Sequence, residues 1–527
     1  MKKTMKKATA VGLVLTSVAS LAACGTDSNK SSSAAASKEI TKPDKFTVMM
    51  DGTVVTLDNG GQDFRDQLEE ATGLKGAINW VQPDHSGYYD QVANAFQSND
   101  TMPDVVILSG NHYTSYASNG FLWDMTDAWN NSATKASGRL VTGAVENVEA
   151  LKTPGVDGVS KLYAFTPARG NGCVTYVKSA WLKTAGYNPD DVANKTLTFS
   201  EYYDMLKKLK EGHSYVISTA GFIGNEAPWT NYLPEFYQQA QYDFTQDSTG
   251  KWVDGFQQQA MKDALQRIQT AVNEGIIDKE TINNSTANAR DKFYSSDKAA
   301  ESGVFTYWAG TWMDTLESNL KSHGLDSELI ELKPIKEMGS YVERVAPAWA
   351  ITTHATNPEG IFKYFLDTML DGGDVQTLWC FGAKGTHWDT KAETVTLQGK
   401  DTGTEYKEGE FHYLPSPQKP STLNKKNHID TLLMLANFKD KNPAESVLSK
   451  VALTSQQFFA DNSKVTVNVP ATPEYTDNIT DINTARKKAV ADVALNGVSV
   501  NDAMATYTKT VGSAVETVTK SLNAAAK

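Results

Sequence analysis

Between residues 46 and 108 the sequence alternates short apolar runs with amphipathic stretches, and this limits the fold more than any other feature of the chain. Phe46-Thr47-Val48-Met49-Met50 reads as a strand, residues 62–71 as a helix ending near Gly73, Ala77-Ile78-Asn79-Trp80-Val81 as a second strand and residues 88–97 as a second helix. Asp104-Val105-Val106-Ile107-Leu108 is a third strand, almost wholly apolar, as a parallel strand covered on both faces must be. Strand–helix–strand–helix–strand predicts a doubly wound α/β lobe. Ligands of such sheets lie beyond the carboxyl ends of the strands. Asp51, Asn111, His112 and Tyr113 occupy those ends and are candidate binding residues.

Further along, residues 158–167 predict a strand that runs into an irregular turn, Arg169-Gly170-Asn171-Gly172, followed by a strand at Cys173-Val174-Thr175-Tyr176-Val177. Thr198-Phe199-Ser200-Glu201 is a capping box, and Tyr202, Met205, Leu206 and Leu209 form the apolar stripe of the helix it starts. Met261, Ala264, Leu265, Ile268 and Val272 mark another such helix. Residues 303–308 read as a strand entering a helix at Gly310-Thr311-Trp312, and residues 346–351 as a strand before the Asn357-Pro358 helix start. A polar, turn-rich stretch from 389 to about 420 reads as a hairpin insertion, and residues 483–523 as helix. Asp247-Ser248-Thr249-Gly250 lacks the ligand ladder of a calcium loop and reads as a hairpin turn.

The first 23 residues carry a basic stub and an apolar run from Ala8 to Ala22, too short to cross a hydrocarbon core of about 30 Å but suited to a secretory signal. Leu21-Ala22-Ala23-Cys24 resembles the lipobox of bacterial lipoproteins, in which the cysteine receives a diacylglycerol. The expectation is a signal peptide over 1–23 and a lipidated flexible tether over 24–43. Loss of 1–23 removes four lysines and no acids, which takes the formal charge from −12 to −16. Such acidity argues against nucleic acid, whose phosphates require basic patches. A chain of this length predicts two domains or two large lobes. Cys173 and Cys380 are too few for a disulfide framework, and either pairing or two free thiols would suit them. No spacing offers a metal or cofactor site.

Four segments in order carry a resemblance to a known family. Met102-Pro103-Asp104-Val105 with Gly120-Phe121-Leu122-Trp123-Asp124-Met125-Thr126 is the first. Lys161-Leu162-Tyr163-Ala164-Phe165-Thr166-Pro167 through Leu197-Thr198-Phe199-Ser200-Glu201 is the second, with Leu197 where the motif has proline. Ala309-Gly310-Thr311-Trp312 and Asn357-Pro358-Glu359 with Phe365-Leu366 complete the set. The chain resembles the extracytoplasmic solute-binding proteins of ABC importers, in the large lipoprotein branch of family 1 related to maltodextrin-binding proteins. The resemblance implies a two-lobed α/β fold, each lobe a doubly wound sheet flanked by helices, with three crossings near Phe165, Leu332-Lys333-Pro334 and Phe381. The lobes would comprise 44–165 plus 334–380, and 166–333 plus 381–527. It further implies a non-catalytic monomer on the outer face of a bacterial membrane that holds an oligosaccharide and meets the permease's transmembrane subunits.

A sugar site needs flat aromatic platforms with polar groups at their rims. Trp229 and Tyr232 lie in an aromatic loop, Trp308 and Trp312 at the strand-to-helix junction, and His387 and Trp388 in a glycine-flanked loop. Arg169 and Asn171 stand at the first crossing, where the arginine would fork onto hydroxyls or a carboxylate, or form a hinge salt bridge. Core packing is the competing role for each aromatic. A peptide or other polar solute, or hydrolysis by paired carboxylates, are the competing functions.

Overall fold

The computed structural model describes residues 39–51, 57–84, 87–108, 110–224, 230–344, 346–426, 428–466, 469–470 and 472–525. The expected signal peptide, Cys24 and most of the tether lie outside the described residues, as do Trp229 and the side chain of Asn111.

The chain builds two hydrophobic cores, each around its own sheet. In the first, Phe46–Met49 pairs in parallel with Ile78–Val81 on one side and Val105–Leu108 on the other, and Ala348–Ile351 closes the far edge antiparallel. Val105, Val106 and Leu108 are fully buried, as their unbroken apolar run requires. Packing here starts earlier than residue 44: the carbonyls of Ile40 and Thr41 accept from the Tyr364 hydroxyl (3.2 Å) and the Asn357 amide (3.0 Å).

The second core holds the strands Leu329–Glu331, Cys173–Lys178 and Val304–Trp308, the middle one antiparallel to both neighbours. Parallel bridges from Ile217 to Val304 and Ile277 extend this sheet. Helix Phe199–Leu209 begins at the expected capping box, with Thr198 and Glu201 satisfying each other's backbone N–H groups. The long helices Pro473–Leu495 and Val500–Ala525 pack on the same core, fixed by Arg486. Its fully buried guanidinium donates to Asp243 (3.1 Å) and Asp254 (2.8 Å), and Tyr507 donates to the second carboxylate at 2.9 Å. Phe244–Gln246 and Trp252–Asp254 form the hairpin expected around Asp247.

Two boundaries differ from those read in the sequence. Ile335, Met338 and Tyr341 belong to the second core and Ala348 to the first, so the second crossing falls at 342–347 rather than 332–334. Phe411, Tyr413, Met434, Leu435 and Ala444 pack into the first core, and the chain rejoins the second at Phe459. The third crossing therefore lies some 70 residues beyond Phe381. The reason is local: residues 388–413 turn back as paired short strands, Trp388–Asp389 with His412–Tyr413 and Glu393–Val395 with Thr404–Tyr406, which returns Phe411 to Phe381 at 5.0 Å between rings. Cys173 and Cys380 are free, buried and in separate cores.

Candidate binding cleft

The crossings meet at a point where only glycine fits. A β-carbon at Gly170 would overlap the carbonyl oxygen of Arg344, and one at Gly172 that of Val342. The turn Arg169-Gly170-Asn171-Gly172 thus lies flat against the second crossing, and Arg344 N donates to the Asn171 carbonyl at 2.9 Å. Arg169 is buried there and grips Glu343 with both Nε (3.1 Å) and an Nη (2.5 Å). Ser463 donates to the same carboxylate at 3.4 Å, and Ser463–Val465 runs parallel to Tyr341–Glu343. One buried ion pair therefore ties the first crossing to the second, with Ser463, just beyond the third, on the same carboxylate. Breaking such a pair from one side costs about 3–5 kcal/mol.

In front of this junction lies a cavity of about 630 Å³. Its walls come from both cores and from the crossings. Trp308, Ala309, Thr311 and Trp312 face it from the second, Tyr413 and the stretch 430–433 from the first, and Asn171, Arg344, Ala452 and Gln456 form the junction side. Trp312 owes its position to a turn. Gly310 has φ +71°, and a β-carbon there would meet Gln456 Oε1 at 2.7 Å. Gly310 N donates to Ser455 Oγ (2.9 Å), which donates to Glu331 (2.5 Å). Burial pushes the Glu331 carboxyl up to about 7, the Ser455 bond opposing it. The helix Thr311–Ser322 starts from this pinned turn, and the Trp312 ring packs edge-on to Tyr307 at 4.9 Å.

Each aromatic ring of the wall has a cation over it. Arg344 lies 5.1 Å from the Trp308 centroid, Arg290 lies 5.2 Å from Trp312, and Lys425 lies 5.6 Å from Tyr413. Burial raises the Tyr413 hydroxyl to about 12, so it is a neutral donor at physiological pH. The site can stack an apolar ring face, hydrogen-bond its rim and meet negative charge.

No family model matches the chain, and no curated protein matches it. Solved structures do. An HMO-binding, ABC-transporter-associated solute-binding protein from Bifidobacterium longum infantis superimposes with a TM-score of 0.55 at 14% identity, covering 92% of this chain and 98% of that one. An N-glycan transport solute-binding protein from Streptococcus pneumoniae gives 0.55 at 13%, covering 92% and 99%. The sugar-binding protein MalE from Xanthomonas citri gives 0.54 at 14%, covering 90% and 98%. The fold is that of the two-lobed extracellular solute-binding proteins.

Within this fold the expected site residues part company. Asn171, Trp308 and Trp312 line the cavity between the lobes. Arg169 does not: it is held in the junction ion pair and borders a separate cavity of about 410 Å³ that shares only Leu432 and Gln456 with the first. Tyr232 stacks on Tyr307 (6.3 Å) inside the second core, and Tyr113 is buried in the first. His112 stacks on Tyr89 at 4.0 Å, and Asp51 is half-buried; neither is among the described wall residues. His387 is fully buried, its Nδ1 accepting from Ala383 N at 2.8 Å, and burial pushes its pKa down. Trp388 donates to the Gly382 carbonyl (2.7 Å) and stacks on Phe411 (4.6 Å). These two brace their own loop. Arg344, Tyr413, Lys425 and Gln456 are wall residues that sequence reasoning passed over, since each lies in a segment without a local motif.

Proposed function

We propose that this chain is the lipid-anchored capture subunit of an ABC importer. It holds an oligosaccharide between its lobes and hands it unaltered to the transmembrane subunits. The observation that carries the reading is the cavity in front of the crossing junction, walled from both cores and presenting Trp308 and Trp312 beside Asn171 and Gln456. Its volume of about 630 Å³ falls within the range of small-molecule sites. Closure would turn on residues 166–172, 342–347 and 448–458, a hinge motion of the kind that buries a ligand and presents a new outer surface. The lobes on this reading are 40–165 with 348–447, and 173–341 with 459–525. Cys24 would hold the chain on the outer face of the membrane, since two acyl chains anchor far better than one. The similar structures include proteins named for binding HMO and for transporting N-glycan, which supports a saccharide over a peptide.

Calorimetric titration of the chain without residues 1–23 against neutral and acidic oligosaccharides tests this, with chromatography of the sugar after long incubation. Saccharide binding with intact ligand is expected. Hydrolysis products would defeat the transport reading, and binding of peptides with no saccharide would defeat the sugar reading.

A further inference from the structure

The cavity carries a charge pattern at odds with the rest of the molecule. The chain holds 62 acids against 50 lysines and arginines. Its cavity wall is not acidic in the same way: Arg344, Lys425 and Lys426 stand there with Asp314 and Asp430, and Lys426 lies 3.8 Å from Asp58. Both acids serve helix starts. Asp430 caps the helix Thr431–Leu435 by accepting from Leu433 N at 3.2 Å, and Asp314 sits in the first turn of the helix Thr311–Ser322, where a negative charge offsets the helix dipole. The cations are placed differently. Arg344 and Lys425 lie over the rings of Trp308 and Tyr413, two of the aromatic residues that line the cavity. A neutral sugar would use these cations only as hydrogen-bond donors to its hydroxyls, whereas a sugar with an anionic substituent on the ring edge would meet ring and charge together.

The two cations also come from different parts of the fold. Arg344 belongs to the second crossing, its backbone against Asn171 and Gly170, and Lys425 belongs to the segment that packs on the first core. An anion held by both would bridge the junction and one lobe. Arginine's planar fork suits a carboxylate in two-point contact, and lysine supplies a point charge.

We propose that the preferred ligand is an anionic oligosaccharide, one bearing carboxylate or sulfate groups on its rings, recognised by Arg344 and Lys425 beside Trp308 and Tyr413. This deepens the saccharide reading above and depends on it. The test titrates the chain lacking residues 1–23 with three probes of equal length: a trigalacturonate, its carboxyl-reduced neutral counterpart, and a sulfated trisaccharide. Binding of an acidic probe at least about tenfold tighter than the neutral one is expected, with affinity that falls as salt rises. The relative strength of the carboxylated and sulfated probes assigns the anionic group. Arg344→Gln and Lys425→Gln should each cut the acidic-over-neutral ratio severalfold, with thermal melting run on both variants to show that they fold. The salt titration of the unaltered chain stands whether or not they do. Equal or tighter binding of the neutral probe, or salt-independent binding of the acidic ones, overturns this inference and leaves the saccharide reading standing. Failure of all three probes, in a chain that binds peptides instead, overturns both.

Discussion

Two glycine-flanked loops look alike in the sequence and do different work in the fold. Arg169-Gly170-Asn171-Gly172 and Gly382-Ala383-Lys384-Gly385-Thr386-His387-Trp388 both mix glycine with residues suited to holding a polar ligand. The first lies on another crossing of the chain: Gly170 and Gly172 are bare because the carbonyls of Arg344 and Val342 occupy the space of a β-carbon. The second folds on itself: a β-carbon on Gly382 would meet His387 Cγ at 2.6 Å, and Trp388 bonds back to Gly382. What separates a loop that packs at the junction from a self-braced one is therefore what the glycine makes room for, a distant segment or its own neighbour.

Substitution at the first loop should break this comparison most severely. Gly170→Ala forces backbone against backbone with no side chain to yield, and is expected to cost about 4 kcal/mol or prevent folding. Gly382→Ala, at φ +82° and against a side chain, should cost less, on the order of 2 kcal/mol. Urea denaturation of both variants compares them, and a smaller loss at Gly170 would sink the account of the junction. Next in size is Arg169→Met, which strands the Glu343 carboxylate in a buried setting at about 3 kcal/mol. The double change Arg169→Met with Glu343→Leu should recover much of that loss in the same experiment, because it removes the unpaired charge as well.

Acidity separates the two lobes as well. Burial raises the Glu235 carboxyl, in the second core and 1% exposed, to about 7. Its folded value exceeds its unfolded one, so the fold favours the protonated form. That contribution is full below the unfolded value of 4.5 and is lost as pH rises through about 7, an effect on the order of 3 kcal/mol. His387, in the first lobe, is shifted the other way. Its folded value lies below the ordinary 6.5, so its contribution is present above that value and is lost as pH falls below it. Glu235→Gln should flatten the decline between pH 4.5 and 7, and His387→Gln the decline on the acid side, both read from melting temperature against pH. An unchanged slope in the Glu235→Gln variant would mean that the carboxyl is not held protonated.

The elements that could be read from sequence were those whose causes are local. The capping box at Thr198, the apolar run Val105–Leu108 and the Asn357-Pro358 helix start fix their own geometry within a few residues, and the structure has each of them. Trp312 was legible because a glycine turn and a helix start adjoin it. Tyr413, Lys425 and Gln456 were not, because their place on the wall depends on residues 388–447 folding back onto the first core. No periodicity in that polar stretch signals the return. The sheet-edge candidates Asp51, His112 and Tyr113 are not among the described wall residues. The rule that ligands lie at strand ends supplies an edge, but the described wall combines the turn at 308–312, the stretch 413–433, the crossings and the helix Lys450–Asn462.

The smallest expected effect is the sharpest, because it sets a tryptophan of the cavity wall against one of the self-braced loop. Trp312 lines the cavity, with Arg290 over its ring and Tyr307 at its edge, whereas Trp388 stacks on Phe411 within its own lobe. Removing a stacking platform from a saccharide site costs about 1 kcal/mol or more of binding, on the scale of aromatic contacts. Trp312→Ala should therefore weaken saccharide affinity at least about fivefold while leaving stability little changed, since the ring is only partly buried. Trp388→Ala should do the reverse, lowering the melting temperature through loss of its stack and its bond to Gly382 while affinity holds. Calorimetry and melting on the same two variants read both quantities. If Trp388→Ala weakened binding and Trp312→Ala did not, the cleft would lie on the other side of the first lobe, and the glycine criterion that separates the two loops would fall with it.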